Sequence, residues 1–230
     1  MKKIISLLLT IGILFAFSAC AAGGEAPTAT DAATSAVTQA ETAAATEADT
    51  TSEAAGEAKI LTIYFSSANT VDATSSATPY DDGVAATQYL AEYIHGKVGG
   101  DLAKLTPVTD YPESYNDTAD AAKAERDNNE RPAFQTLDIN PEDYDIIFVG
   151  YPMWWYTLPM IYYTFFDTYD FSGKTLIPFN THEGSGDGGT YDEIREFEPN
   201  ATVLDGFNVR GRSANQADSN LDEWLAGLNY

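Results

Sequence analysis

Cysteine, histidine and basic residues are scarce in this chain, and each scarcity excludes a class of function. The only cysteine is Cys20, so the chain can form neither an intrachain disulfide nor a cysteine-rich metal site. The two histidines, His95 and His182, lie far apart in sequence, which argues against a histidine-based zinc site. Lysine and arginine together number 12 against 35 acidic residues, and the formal net charge is -23. This balance argues against binding to nucleic acid, which depends on cations that neutralise phosphates, and against a peripheral site on anionic lipid.

The N-terminus predicts export and an anchor. Met1-Lys2-Lys3 is a short basic stretch, residues 4–17 are apolar but too few to span a membrane readily, and small residues follow as far as Cys20. This pattern is typical of a secretory signal peptide. Residues 17–20, Phe-Ser-Ala-Cys, resemble the lipobox of bacterial lipoproteins, and the resemblance implies that Cys20 becomes the lipidated N-terminus. We therefore expect a signal peptide over residues 1–20 and an extracytoplasmic protein that is anchored by lipid to the cell membrane.

Residues 21–58 contain almost no large apolar side chain and no lysine or arginine. Alanine, threonine, glutamate, serine and glycine make up most of this segment. Such a composition cannot bury enough surface to offset the entropy of ordering the chain, so we expect a disordered linker that tethers the folded part. The remaining residues, 59–230, have the length of one domain.

Apolar strand patterns and amphipathic helix patterns alternate along residues 59–230. Strands are predicted at 59–65, 102–105, 146–149, 174–180 and 201–204, the last with 207–209 as a further part. Helices are predicted at 83–98, 116–129, 160–166, 191–197 and 213–228. This alternation predicts an α/β fold with a doubly wound, five-stranded parallel sheet and right-handed crossovers.

The stretch over residues 145–159 is the centre of the functional prediction. Its apolar, β-branched start suits a strand that is buried on both faces and ends at Gly150. Two tryptophans and a tyrosine then follow between Pro152 and Pro159. Ligands of open α/β sheets bind at the carboxyl ends of the strands, so this aromatic loop predicts a site for a flat ligand. The alternative is that the tryptophans only cover the edge of the core.

Two more loops follow predicted strands. Ser66-Ser67-Ala68-Asn69-Thr70 offers hydroxyl and backbone N–H groups of the kind that bind phosphate, with an ordinary Ser/Asn turn as the alternative. Residues 181–189 are rich in glycine and include G-x-G-x-x-G, but they lie in the fourth strand–helix unit, where a dinucleotide fingerprint does not belong. We interpret them as a flexible loop that lines one edge of a ligand, with a plain connection as the alternative. The three loops together describe a site for a planar, singly phosphorylated ligand, and FMN fits this description.

Two motifs make the chain similar to the flavodoxin-like family, and closest to its bacterial lipoproteins. They are G-Y-P-x-W-W at residues 150–155 and P-F-x-T-H-x-G-S-G at residues 178–186. The resemblance implies a five-stranded flavodoxin-like sheet, bound FMN and electron transfer. It also implies three groups of FMN-binding residues, with Trp155 as the residue that stacks on the flavin ring. These are Ser66, Ala68, Asn69 and Thr70 at the phosphate; Pro152, Met153, Trp154, Trp155 and Tyr156 beside the ring; and Thr181, His182, Gly184, Ser185 and Gly186 at the ring edge.

The expected function is electron transfer by bound FMN at the outer face of the cytoplasmic membrane, with a redox protein or a quinone as partner. One alternative is an NAD(P)H-dependent quinone reductase that uses the same flavin; it ranks second because the acidic balance offers no obvious site for a pyridine-nucleotide phosphate. Another is a non-redox surface binding protein that has lost flavin, since residues 66–70 contain no glycine. No catalytic acid–base pair or nucleophile stands out. His182 is the candidate proton donor near the site, with a structural hydrogen bond as the alternative.

Overall fold

The computed structural model describes residues 57–67 and 83–230. The expected signal peptide, the lipid-bearing Cys20 and nearly all of the expected linker lie outside these residues, as do Ala68, Asn69 and Thr70 of the phosphate group. The division of the chain into signal, linker and domain therefore stays a prediction. Over the described part, no helix has both the length and the hydropathy that a membrane span requires.

Strands and helices alternate through the described residues. The strands are β1 (Ile60–Tyr64), β2 (Asp101–Lys104), β3 (Ile146–Pro152), β4 (Thr175–His182), β5 (Thr202–Val203) and β6 (Phe207–Arg210). The α-helices are α1 (Ala86–Val98), α2 (Tyr115–Asn128), α3 (Met160–Thr168), α4 (Thr190–Phe197) and α5 (Asp218–Gly227), with 3-10 turns at Pro141–Asp143 and Gly211–Gln216.

All the strands are parallel, in the order β2-β1-β3-β4-β5. β6 also pairs with β4 and continues the fifth position of the sheet beyond β5. The expected doubly wound parallel sheet is thus confirmed, with its fifth strand in two pieces. In this order the direction of winding reverses between β1 and β3, and ligands of such sheets bind outside the carboxyl ends of the strands at that point.

The two faces of the sheet carry separate apolar layers. On one face, strand residues such as Leu61, Ile63 and Val149 pack against α3 and α4. On the other face, Phe148 and Phe179 pack against α1 and α5. Successive strand residues point to opposite faces, so a strand must be apolar throughout to bury both, and β3 is buried at every position.

The expectation that the central strand ends at Gly150 is wrong, because β3 continues to Pro152. Gly150 serves a different purpose: a Cβ there would lie 2.2 Å from the ring of Phe179. The pairing of β3 with β1 ends at Gly150, while the pairing with β4 continues to Pro152 and Thr181. Pro152 therefore lies beyond the last β1 partner, where its missing N–H removes no bond from the ladder.

The closing helix is shorter than the predicted 213–228. Gly211–Gln216 forms a 3-10 turn, and the α-helix begins only at Asp218. Serine, asparagine and aspartate are frequent over residues 213–220, and their side chains compete with helical hydrogen bonds. Asp218 accepts a hydrogen bond from the hydroxyl of Tyr89 at 2.6 Å, which ties the start of α5 to α1.

Candidate functional site

Ser66 and Ser67 of the first loop, together with the loops after β3 and β4, lie at one edge of the sheet, where β1, β3 and β4 end. The backbone N–H of Met153 donates to the carbonyl of Thr181 at 2.7 Å, which joins the loops after β3 and β4. The ring of Phe65, directly after β1, lies 5.2 Å from the ring of Trp154. The Thr181 hydroxyl lies 2.8 Å from the hydroxyl of Thr87 in α1. The described parts of the predicted site therefore surround one region.

Two serine hydroxyls at the end of β1 are buried without a partner. Ser66 and Ser67 are 4% and 7% exposed, and neither hydroxyl oxygen has a hydrogen-bond partner among residues 57–67 and 83–230. An unpaired buried hydroxyl costs about 1–3 kcal/mol, so such a pair calls for an explanation. At the same edge α1 begins at Ala86, after Ala85, which is buried and whose side chain cannot cap the helix. Hydroxyls and a helix N-terminus are groups that suit an anion.

Residues 154–157, which we call the aromatic turn, have an unusual backbone. The N–H groups of Trp154 and Thr157 donate to each other's carbonyls, at 3.3 and 3.0 Å. Between them Trp155 and Tyr156 have φ values of 53° and 63°. Two successive positive φ values are what a type I′ turn requires, and glycine or asparagine usually supplies them. For bulky residues this region costs about 1–3 kcal/mol each, and such strain concentrates at functional sites.

The three aromatic residues of the turn point in different directions. Trp154 packs into the core, with its ring 4.9 Å from that of Tyr111. Trp155 lies against α2: its indole N–H donates to the carbonyl of Ala119 at 2.8 Å, and the guanidinium of Arg126 lies 5.5 Å from its ring. Tyr156 is 74% exposed, against 41% for Trp155. Stacking by Trp155 stays a prediction, and Tyr156 presents the freer aromatic face.

Residues 183–189, which we call the glycine loop, are fixed mainly by backbone and amide contacts. The side chain of Asn180, fully buried in β4, donates to the carbonyl of Gly186 at 3.0 Å and accepts from the hydroxyl of Tyr191 at 2.9 Å. The loop also touches the aromatic turn: a Cβ on Gly188 would lie 3.2 Å from Met153 Cε. The predicted residues after β3, Pro152 to Tyr156, and after β4, Thr181 to Gly186, are thus brought together, and we call these two loops the two walls of the site.

His182 acts as a fixed acceptor. It is 8% exposed, and its Nδ1 accepts the N–H of Gly184 at 2.9 Å, so this nitrogen carries no proton. Burial and then the nearby Arg210 lower the pKa of the imidazole, which favours its neutral form. The structural hydrogen bond that the sequence left as an alternative is present, and it shapes the start of the glycine loop.

Two arginines lie beside the glycine loop, and composition had given no hint of them. Arg210 donates to the carbonyl of Glu183 at 3.0 Å, and Arg212 forms an ion pair with the Glu183 carboxylate at 2.6 Å. Gly184 leaves room here, because a Cβ on it would lie 3.6 Å from the Arg210 guanidinium. As for metal ions, residues 57–67 and 83–230 contain no group of three or more histidine, cysteine or acidic side chains that could hold one.

Sequence reasoning also missed Glu193, in the first turn of α4. Its carboxylate accepts hydrogen bonds from Thr157 in the aromatic turn and from Tyr163 in α3. These partners lie 36 and 30 residues away along the chain. Neither the helix pattern of α4 nor any motif marks this residue, because an acidic side chain in the first turn of a helix is common.

Comparison with known proteins agrees with this geometry. The profile of the flavodoxin family matches residues 59–228. A candidate flavoprotein from Bacteroides eggerthii is 28% identical, with a TM-score of 0.58 over 74% of this chain and 97% of that one. A second, from Bacteroides uniformis, is 26% identical, with a TM-score of 0.58 over 74% of this chain and 98% of that one.

A flavoprotein from Lactobacillus acidophilus, solved in complex with FMN, is similar in fold. It is 19% identical, with a TM-score of 0.52 over 74% of this chain and 99% of its own. The search of curated proteins found no match. The family profile covers most of the chain and the strand order is that of a flavodoxin-like sheet, so the protein belongs to the flavodoxin family.

Proposed function

We propose that the protein binds FMN between the loops after β1, β3 and β4 and transfers electrons. The observation that carries this proposal is the pair of buried, unpartnered hydroxyls of Ser66 and Ser67 beside the uncapped start of α1. A phosphate bound there would accept from both hydroxyls. Bound FMN supplies the redox chemistry, while the chain supplies binding, orientation and electrostatics.

The other two loops suit a planar ring. The aromatic turn offers the exposed face of Tyr156 and part of that of Trp155, and the glycine loop offers backbone close to the ligand because it carries few side chains. The family match and the FMN-bound neighbour from Lactobacillus acidophilus support the choice of FMN. Ala68, Asn69 and Thr70 remain part of the proposed phosphate site on the strength of the sequence.

Loss of the two hydroxyls tests the phosphate site. FMN fluorescence is titrated with the purified protein, with the Ser66→Ala/Ser67→Ala variant and with a control, Ser219→Ala, whose serine is exposed in α5. We expect saturable quenching by the parent protein and affinity at least about tenfold lower in the double variant, because hydrogen bonds to charged groups contribute about 1.5–3 kcal/mol each. Absence of saturable quenching by the folded parent protein would overturn the assignment of FMN.

The role in electron transfer rests on charge. Of the 35 acidic residues, 28 lie in residues 59–230, together with ten of the 12 basic ones, so the acidity belongs to the domain itself. A negative field disfavours the addition of further negative charge to a bound ring. We therefore expect the reduction potential of bound FMN to lie below that of free FMN. A redox titration that gives an equal or higher potential contradicts this.

The place of action is proposed from the N-terminal sequence alone. We infer that the signal peptide is removed, that lipid on Cys20 anchors the protein at the outer face of the cytoplasmic membrane, and that residues 21–58 act as the tether. Cys20→Ala should move the protein out of the membrane fraction. If this variant stays membrane-bound, the lipoprotein assignment is wrong.

A second candidate function, an NAD(P)H-dependent quinone reductase, is favoured by one observation. Arg210 and Arg212 lie beside the glycine loop, and they are cations of the kind that a pyridine-nucleotide phosphate needs. Steady-state oxidation of NADH or NADPH by the FMN-loaded protein with a quinone separates the two functions. Turnover that falls in Arg210→Gln supports the reductase, and no turnover supports the carrier.

A further inference from the structure

Three hydrogen-bond donors near the aromatic turn converge on one carboxylate. Thr157 Oγ1 lies 3.0 Å from each oxygen of Glu193, and the N–H of Leu158 lies 3.4 Å from Oε2. The hydroxyl of Tyr163, on α3, donates a hydrogen bond to Oε1. The Tyr163 and Thr157 hydroxyls also lie 2.8 Å apart. The group is partly buried and joins α4 to α3 and to the end of the turn.

The geometry of these contacts suits a side chain with two acceptor oxygens. A carboxylate has two oxygens that only accept, so it can serve several donors at once, and its charge strengthens each bond. A glutamine at the same position keeps one acceptor oxygen and carries no charge, so its NH2 group would have to donate to the Thr157 or Tyr163 hydroxyl and the contacts would be weaker. Arg131 adds positive charge nearby, because its guanidinium lies 5.1 Å over the ring of Tyr163 and pairs with Asp167.

The aromatic turn needs contacts that fix its conformation, because its backbone is strained. Trp155 and Tyr156 both have positive φ, and this conformation persists only where the surroundings fix it. On one side α2 holds the turn: Arg126 donates to the Trp155 carbonyl at 3.2 Å, and the Trp155 indole donates to Ala119. On the other side, the Glu193 carboxylate fixes the turn by accepting hydrogen bonds from Thr157 and from the N–H of Leu158.

Glu193 also links the two walls of the site. α4 begins where the glycine loop ends, with Gly189 directly before it. Thr190, the first residue of α4, donates through its hydroxyl to the carbonyl of Asp187 at 2.6 Å. The aromatic turn is therefore attached, through one side chain, to the helix that fixes the far end of the glycine loop.

We propose that Glu193 is a positioning residue for the flavin site: without touching FMN, it holds the aromatic turn in its strained conformation and in register with the glycine loop. This inference rests on the proposed function for the identity of the ligand. Glu193 would act by pre-organising the site. When only a fraction of the protein is in the binding-competent conformation, its affinity for the ligand falls in proportion to that fraction.

The first test needs no ligand. Amide hydrogen exchange over residues 154–158 is compared between the full protein, Glu193→Gln and Asp192→Asn. Asp192 is the adjacent carboxylate of the same helix, and its side chain is 81% exposed. We expect exchange at Thr157 and Leu158 to be about tenfold faster in Glu193→Gln, as for the loss of about one hydrogen bond, and unchanged in Asp192→Asn. Unchanged exchange in Glu193→Gln overturns the proposal.

The second test measures the FMN dissociation constant of the same variants. We expect it to rise about tenfold in Glu193→Gln, in step with the faster exchange, and to stay constant in Asp192→Asn. If exchange becomes faster but FMN affinity does not change, the link between Glu193 and the site is overturned. If the parent protein binds no FMN while amide exchange over residues 154–158 is faster in Glu193→Gln, the proposed function is wrong. The conclusion that Glu193 stabilises the turn would then still be supported.

A nearly isosteric variant guards against a folding defect in Glu193→Gln. Thr157→Val removes the hydroxyl donor at the turn and leaves the carboxylate and Tyr163 in place. We expect the same direction of change in both measurements, with faster exchange at residues 154–158 and weaker FMN binding. Parent-like values in Thr157→Val for both exchange and affinity would overturn the proposal.

Discussion

The two walls of the site reach the left-handed region of the backbone by opposite means. The aromatic turn places Trp155 and Tyr156 at φ values of 53° and 63°. The glycine loop reaches 64° at Gly186, 57° at Gly188 and 87° at Gly189. The first wall uses large side chains in a region that disfavours them, and side chains of α2 and α4 hold it. The second uses residues that adopt this region freely.

Under the proposed function, the difference follows from what each wall would offer the flavin. A ring needs an aromatic face, which only a residue with a side chain can provide, and at positive φ that costs about 1–3 kcal/mol per residue. A ring edge needs backbone that can come close, which glycine permits without that cost. Strain in the aromatic turn therefore has to be balanced by hydrogen bonds from neighbouring helices, whereas the glycine loop depends on the amide of Asn180.

The largest expected loss of stability follows from removing the side-chain amide of Asn180, which fixes the glycine loop. Asn180→Leu leaves the hydroxyl of Tyr191 and the carbonyl of Gly186 without their partner inside the protein. We expect the free energy of unfolding to fall by about 2–4 kcal/mol, because each unpaired buried polar group costs about 1–3 kcal/mol. Urea denaturation measures this loss.

A matched double variant shows whether the loss has this cause. Tyr191→Phe removes the hydroxyl that donates to Asn180. The free energy of unfolding of Asn180→Leu/Tyr191→Phe should therefore fall by less than the sum of the losses in the two single variants. Strict additivity would mean that the pair does not interact in solution.

A side chain added to the glycine loop tests whether the loop depends on the freedom of glycine to adopt a positive φ. Gly186→Ala meets no close atom, since the nearest is Asn208 Oδ1 at 3.9 Å, so only the positive φ opposes it. We expect a loss of about 1–2 kcal/mol, the cost of a left-handed residue with a Cβ. The control is Gly96→Ala in α1, where φ is ordinary and no atom lies within 4 Å. It should gain about 0.5–1 kcal/mol by helix propensity. Equal effects at both positions would contradict the importance of φ.

Patterns along the chain predicted the sheet and the order of its elements, while the role of the loops in binding stays a prediction. The apolar run at 146–149 marked the central strand, and the predicted strand–helix alternation is confirmed. What the sequence could not show depends on contacts between distant residues. Gly150 looks like a strand end, yet it makes room for the Phe179 ring. Glu193 looks like an ordinary acidic residue at a helix start, and only the fold brings Thr157 and Tyr163 to it.

The turn type illustrates the same limit. Trp155-Tyr156 contains no glycine or asparagine, so local sequence gives no reason to expect two positive φ values there. Contacts with α2 and α4 override the local preference. The role of His182 was easier to anticipate, because a histidine near a site either transfers a proton or makes a structural hydrogen bond. Here its Nδ1 accepts a hydrogen bond from the N–H of Gly184.

The two ends of α4 offer a comparison between two carboxylates. Glu193 is surrounded by donors, whereas Glu198, after the last turn of α4, is buried near Asp170 with one backbone donor at Phe171. Burial, and then Asp170, raise the pKa of Glu198 to about 7. A folded-state pKa above the unfolded value means that the folded protein holds this proton more tightly. The resulting stability is fully present below the unfolded pKa and is lost as pH rises through about 7.

Glu198→Gln removes this dependence. Above pH 7 the variant should be more stable than the parent protein by about 1 kcal/mol, and the advantage should vanish or reverse near pH 5. Unfolding in urea at the two pH values measures it, with Glu196→Gln, on the exposed side of α4, as the control. An advantage that does not change with pH would contradict the raised pKa.

The smallest expected change in stability has the opposite sign from that of Gly186→Ala. Tyr156 is 74% exposed, so its side chain contributes little to the core, while its φ of 63° opposes any residue with a Cβ. Tyr156→Gly should therefore raise the free energy of unfolding slightly, by up to about 1 kcal/mol, as the left-handed strain is removed.

The same variant should bind FMN more weakly, by up to about tenfold, because an aromatic pair contributes about 0.5–1.5 kcal/mol beyond its buried area. Thermal unfolding and FMN titration on one preparation measure both quantities, and Tyr156→Phe, which keeps the ring, is the control for affinity. A protein that becomes more stable while it loses its ligand would show that the strain at Tyr156 is retained for binding. Equal FMN affinity in Tyr156→Gly and the parent protein would remove this aromatic face from the site and leave the strain without a role in binding.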